Sequence, residues 1–259
     1  INAVTGAERW IYPREGELEP IVGGPAVNLG KVYIGDSDGK LYALDADTGD
    51  RVWEFETGGK IWATPSISGD TLYIGSFDKK VYALNAEDGS KRWEFETTGA
   101  ITSTPLTYDD AVYVGSFDRY LYALNAINGS LRWKFRAENW FWAHPVIHNG
   151  VIYAGSMDGK VYALKAANGE KRAEFDLESR IISSPILVGN SVIVASEEGR
   201  MYSLNAANNQ KRELVNLEEK IYASLSAGDG VVYIHSEKDT LYAVDAQSGV
   251  ILWSLSLES

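Results

Sequence analysis

Apolar and polar positions alternate with period two along nearly the whole chain, and the alternation is cut every few residues by Gly, Asn or Asp. The stretch "KIWATPSISGDTLYIGSFDKKVYALNAEDGSKRWEFETTG" is representative. Alternation of this kind puts successive side chains on opposite faces of a sheet, and the breaks supply turn residues. It predicts four short strands, near 60–67, 71–76, 80–86 and 91–97. No segment carries a convincing helical period.

The same pattern recurs. "LYALDADTGDRVWEF", "VYALNAEDGSKRWEF", "LYALNAINGSLRWKF", "VYALKAANGEKRAEF", "MYSLNAANNQKRELV" and "LYAVDAQSGVILWSL" superpose without a gap, with tyrosines at Tyr42, Tyr82, Tyr122, Tyr162, Tyr202 and Tyr242, always 40 residues apart. Repeats therefore run over 20–59, 60–99, 100–139, 140–179, 180–219 and 220–259, with a partial repeat at 1–19. Four strands per unit of about 40 residues predict an all-β chain, a β-propeller of four-stranded antiparallel blades whose neighbours bury each other's faces. The expectation is a single domain over 1–259: six complete 40-residue repeats plus one extra N-terminal outer strand. A parent with seven or more blades stays open.

The Gly-His and Trp-Asp pairs of WD repeats are absent, and the period is too short for kelch. In their place stands Ala-x-x-x-Gly-x-x-x-Trp: Ala46, Gly49, Trp53; Ala86, Gly89, Trp93; Ala126, Gly129, Trp133; Ala246, Gly249, Trp253. This motif resembles the tryptophan-docking repeat of the pyrroloquinoline-quinone (PQQ)-like propellers. That family includes quinoprotein dehydrogenases and the propeller lipoprotein of the outer-membrane β-barrel assembly machinery. The resemblance implies that Trp53, Trp93, Trp133 and Trp253 are staples between blades. Ala3, Gly6 and Trp10 repeat the motif at the N-terminus. Ala173 and Glu213 replace Trp in repeats four and five, and Asn209 replaces Gly, so these two blades are expected to dock least firmly.

A formal net charge of −12 and a pI near 4.8 exclude a nucleic-acid partner, because that affinity rests on Lys and Arg displacing counterions. No apolar run is long enough for a membrane span. Without cysteine there is no disulfide, thiolate metal site or Cys nucleophile. The start at Ile1, with no basic or apolar leader, is expected of a mature product or a fragment.

"DSDGK" at Asp36 and "DADTGD" at Asp45 resemble calcium loops. The Asp45 column, however, holds Asn85, Asn125, Lys165, Asn205 and Asp245, and a cation site does not admit lysine. Asx-turn chemistry accounts for the column, and no metal is expected there. The "NGS" sequon at Asn128–Ser130 lies in the same turn and has the same explanation.

Tyrosines such as Tyr33, Tyr73, Tyr113, Tyr153 and Tyr233 fall in repeat columns and are core by periodicity. Trp62, Trp140 and Trp142 are not explained by the docking motif. They lie on the first strand, which is innermost in a propeller. Phe141 shares its column with Ile21, Ile61, Ile101, Ile181 and Ile221 and is core, whereas alternation sends 140, 142 and 144 to the other side. These positions predict a channel mouth lined by Trp62, Trp140, Trp142 and Tyr222, edged by Lys60, Arg180 and Lys220, with His144 deeper among Thr and Ser. Aromatic walls with a few polar groups form a ligand or peptide pocket. Filling of gaps between inner strands is the structural alternative.

The family resemblance also offers a quinoprotein dehydrogenase. The vicinal cysteines beside the quinone are missing, the connections are too short for a lid or a calcium ligand set, and no hydrolase, zincin or nucleotide motif occurs. The expectation is a non-catalytic scaffold or sensor of the cell envelope or surface, extracytoplasmic, without a PQQ–calcium cofactor. Its partner is expected to be a protein or peptide, with a glycan stacked on the tryptophans as the alternative.

Overall fold

A computed structural model describes residues 4–205, 208 and 210–257. Ala3 and Asn209 of the sequence motif lie outside the described residues. Six four-stranded antiparallel sheets, each built from four consecutive strands, give the all-β arrangement of a six-bladed propeller. The second blade is typical, with strands Ser66–Ser68, Thr71–Gly75, Lys80–Asn85 and Lys91–Glu96. Its second strand is buried along its whole length, while the fourth alternates between exposed and covered positions. The chain divides into two compact units, residues 1–114 with 124–130, and residues 115–123 with 131–259.

The first strand is much shorter than the 60–67 read from the alternation. Pro65 precedes Ser66, and Pro25, Pro105, Pro145 and Pro185 stand in the same column. A proline cannot donate to a ladder, so pairing begins only after it. Residues 60–65 and 140–145 are consequently irregular in hydrogen bonding, yet burial still alternates along them: Phe141 and Ala143 are covered while Trp142 and His144 are half-buried. The turn that follows is a two-residue hairpin. Asn149 and Gly150 have φ of 49° and 71°, as a primed turn requires.

Two contacts repeat from blade to blade. Gly35, Gly75 and Gly155 receive Ile61, Ile101 and Ile181 so closely that an added Cβ would meet the isoleucine Cγ2 at 2.2–2.4 Å. That explains why the column is uniformly large. In the second contact the indole N–H of Trp53 donates to the Ala86 carbonyl at 3.1 Å, Trp93 to Ala126 at 2.9 Å and Trp133 to Ala166 at 2.9 Å. Trp10 does the same to Ala46 at 3.0 Å, although its segment, expected as an extra outer strand, is assigned no strand.

Trp253 differs in exposure: it is 45% exposed, although it meets Tyr233 of its own blade as Trp53 meets Tyr33 and Trp93 meets Tyr73. The two substituted positions also differ from each other. Ala173 keeps the usual register, opposite Ala163, and is buried. In the fifth blade the third strand pairs Tyr202 with Glu213, and the bulge moves to Met201/Tyr202. A one-residue slip exchanges the faces of a strand. It leaves Glu213 in solvent and brings Leu214 onto Gly249, where an added Cβ would meet the Leu214 carbonyl oxygen at 2.1 Å.

The Asx turns use their side chains on the backbone. Asp45 Oδ1 accepts from the amides of Asp47 and Thr48 at 3.0 and 2.8 Å, and Asn85 Oδ1 accepts from Glu87 at 2.9 Å. The backbone bonds from Thr48 and then Asp47 lower the Asp45 carboxyl below its ordinary value.

Candidate functional site

The predicted site residues fall into groups that the turn between the second and third strands organises. In each of several repeats the amide at the start of this turn donates to the carbonyl that opens the inner segment: Phe77 to Lys60 at 2.9 Å, Met157 to Trp140 at 2.8 Å, Glu197 to Arg180 at 2.8 Å and Glu237 to Lys220 at 2.9 Å. The turn is held from below. Asp78 Oδ2 accepts from the Gly58 amide at 2.7 Å and from the Tyr82 hydroxyl at 2.5 Å, and burial, then this carboxylate, push the Tyr82 phenol up. Side chains above a turn fixed at both ends are displayed rigidly.

In the first unit Trp62 packs edge-on against Phe77 with centroids 4.6 Å apart, its indole N–H donates to Ser37 Oγ at 3.3 Å, and Lys60 Nζ lies 5.7 Å from its ring. Thr64 Oγ1 accepts from the Gly24 amide at 2.8 Å.

In the second unit Phe117 stacks on both tryptophans that the sequence singled out. Its ring is 4.6 Å from that of Trp140 at an interplanar angle of 12°, and 5.3 Å from that of Trp142 at 21°. Trp140 is 41% exposed. Offset stacking of this kind adds about 0.5–1.5 kcal/mol per pair beyond burial. Below it, the His144 amide donates to Ser184 Oγ at 3.2 Å, and burial pushes the His144 imidazole down from its ordinary value. Arg180 reaches Glu197 at 3.9 Å, and Lys220 is held protonated by Tyr222 and then Glu237. Tyr222 is exposed.

Phe77 and Phe117 are the residues that sequence reasoning missed. Their column reads Ser37, Phe77, Phe117, Met157, Glu197 and Glu237, as varied as the columns that were chosen. The available signal was an aromatic residue where sibling repeats carry polar ones.

Such an arrangement offers aromatic faces and charged groups to a ligand. Short stretches resemble curated proteins. The chain is 39% identical over 66 residues to the quinoprotein alcohol dehydrogenase PedH of Pseudomonas putida, covering 25% of this chain and 11% of that protein. It is 46% identical over 41 residues to the outer membrane protein assembly factor BamB of Alkalilimnicola ehrlichii, covering 16% and 11% respectively. The matched stretches thus span about a tenth of these relatives' own length. Among solved structures, BamB from Moraxella catarrhalis superposes with a TM-score of 0.80 at 18% identity, over 92% of this chain and 77% of that one. The fold is that of the PQQ-like propellers. A family match over residues 20–259, all six repeats, makes the chain a member of the family described as the β-propeller of the beta-alanine-activating enzyme.

Proposed function

We propose that the chain is a non-catalytic binding scaffold that receives an extended peptide or the edge of a partner protein on the Phe117–Trp140–Trp142 cluster, with Arg180 and Lys220 meeting carboxylates of the partner. The observation that carries this reading is the Trp140 indole, 41% exposed although stacked at 4.6 Å on Phe117. An aromatic group held rigid before binding loses little entropy on complex formation, and aromatic and Arg side chains dominate interface energies.

Similarity to BamB, named as an outer membrane protein assembly factor, supports a protein partner and an extracytoplasmic place of work. The dehydrogenase reading has less support here, since the cluster offers no acid–base pair. Each indole already has one face against Phe117, which leaves less open ring surface for a sugar.

Tryptophan fluorescence titrated with acidic and neutral peptides tests the proposal. Binding to acidic peptides that weakens at least about tenfold in Trp142→Ala is expected, the loss of one buried aromatic anchor. Absence of any response in the wild type, or an unchanged affinity in the variant, would overturn it.

A further inference from the structure

Repeat four carries two substitutions that open a cleft away from the aromatic cluster. In repeat two the Arg92 guanidinium is held by Asp70, Nη1 to Oδ1 and Nη2 to Oδ2 both at 2.8 Å, with Thr71 accepting as well. The counterpart of Arg92 is Arg172, but Gly150 stands where Asp70 would be and Val151 where Thr71 would be. Among the described residues Arg172 has no hydrogen bond or ion pair. The nearby Glu170 is hydrogen-bonded by Lys165 at 2.7 Å, and the Arg172 charge acts on that carboxylate only through space.

The second substitution is Ala173. Tyr73, Ala83 and Trp93 form one cross-strand row in repeat two, and Tyr153, Ala163 and Ala173 form the same row in repeat four. Where Trp93 is present its ring lies 5.8 Å from that of Tyr73. In repeat four a cleft of about 280 Å³ opens beside this row, at Tyr153. Tyr153, Val151 and Leu204 make its apolar floor, and Arg172, His148 and Asn190 its polar rim. Tyr153, Ala173 and Leu204 belong to one buried apolar cluster, so the floor is continuous with the site of the missing indole. Among the described residues no carboxylate lines the cleft, although the chain as a whole carries a charge of −12.

A hole left by a large-to-small replacement accepts a planar apolar molecule of matching shape. A guanidinium without a carboxylate of its own pairs with one supplied by a ligand, in bidentate geometry and with charge-assisted hydrogen bonds. We propose that the cleft is a binding site for a small aromatic carboxylate, with its ring over Tyr153 and Leu204 in place of the docking indole and its carboxylate on Arg172. His148 and Asn190 supply further donors on the rim.

Calorimetric titration of the full chain with indole-3-acetate, indole and acetate tests this. Indole-3-acetate is expected to bind, indole to bind at least about tenfold more weakly, the worth of one charge-assisted pair, and acetate not measurably. Arg172→Gln should reduce indole-3-acetate to the affinity of indole. Repeat five has Asn209 where the sibling repeats offer a docked indole a glycine, so the cleft is filled by the pair Ala173→Trp and Asn209→Gly; this double variant should fold with an unchanged or raised Tm and abolish binding of both ring compounds. Trp142→Ala should leave the titration unaltered, which separates this cleft from the proposed peptide site. Failure of indole-3-acetate to bind, equal affinity for indole, undiminished binding in the folded Ala173→Trp, Asn209→Gly variant or loss of binding in Trp142→Ala would each overturn the assignment.

Discussion

The indole N–H of Trp93 donates to the carbonyl of Ala126 across a blade boundary, at 2.9 Å, and that carbonyl also accepts from the Tyr73 hydroxyl at 3.2 Å. The same indole lies on Gly129, whose φ of 71° and 2.6 Å Cβ-to-ring clearance both demand glycine. One contact therefore depends on three residue types. Trp93→Ala is expected to cost about 3–5 kcal/mol, and Gly129→Ala at least the roughly 1–2 kcal/mol of left-handed strain. Because both changes damage one contact, the double variant should lose less than the sum. Urea denaturation of the two single variants and the double variant measures this directly; strict additivity would mean that the two residues act separately.

Trp253 occupies the same motif position but is 45% exposed. Its replacement by Ala should cost no more than about 1 kcal/mol, close to the range of surface substitutions. Equal denaturation midpoints for Trp253→Ala and the wild type, beside a large drop for Trp93→Ala, are the expected result. A loss comparable to that of Trp93→Ala would show that this indole is docked in solution.

The blade pattern was legible because each column is sampled six times. One repeat leaves the role of a residue ambiguous, whereas six show which positions must be Tyr, Gly or Ile. The contacts that escaped depend on the joining of two columns. Nothing in the alternation says that the turn residue Phe117 will lie under Trp140 and Trp142. That follows from the backbone bond of the Phe141 amide to the Ser116 carbonyl, 3.3 Å, which places the turn of one repeat on the inner segment of the next. The inner strand was read too long for a local reason, the proline column at Pro65 and Pro145, whose missing N–H leaves alternation intact while preventing pairing.

Repeat five shows how a conflict within a column is resolved. Glu213 in the tryptophan position would bury a carboxylate against a turn, at a cost of several kcal/mol without a partner. The register slips instead, and Leu214 packs near Ala246 and Val244. Glu213→Ala should accordingly change stability by no more than about 0.5 kcal/mol, and Leu214→Ala should cost roughly 1–2 kcal/mol for a half-buried leucine. Thermal melts of the two variants rank them. A larger loss from Glu213 would contradict the slipped register.

His144 links the inner segment to pH. Burial disfavours its charged form, so the imidazole binds a proton less readily in the folded chain than at its ordinary value of 6.5 in the unfolded one. Above that value the group is neutral in both states and contributes no pH dependence. Just below it the unfolded chain holds more protons than the folded chain, so stability falls as the pH falls and is recovered as it rises. Replacement by Gln keeps a polar side chain of similar length but removes the titration. The wild type is expected to lose more Tm than His144→Gln between pH 7.5 and pH 5, with the difference arising below about 6.5. Parallel losses in the two proteins would place the acid sensitivity elsewhere, in the carboxylates that the Asx turns and ion pairs hold ionised.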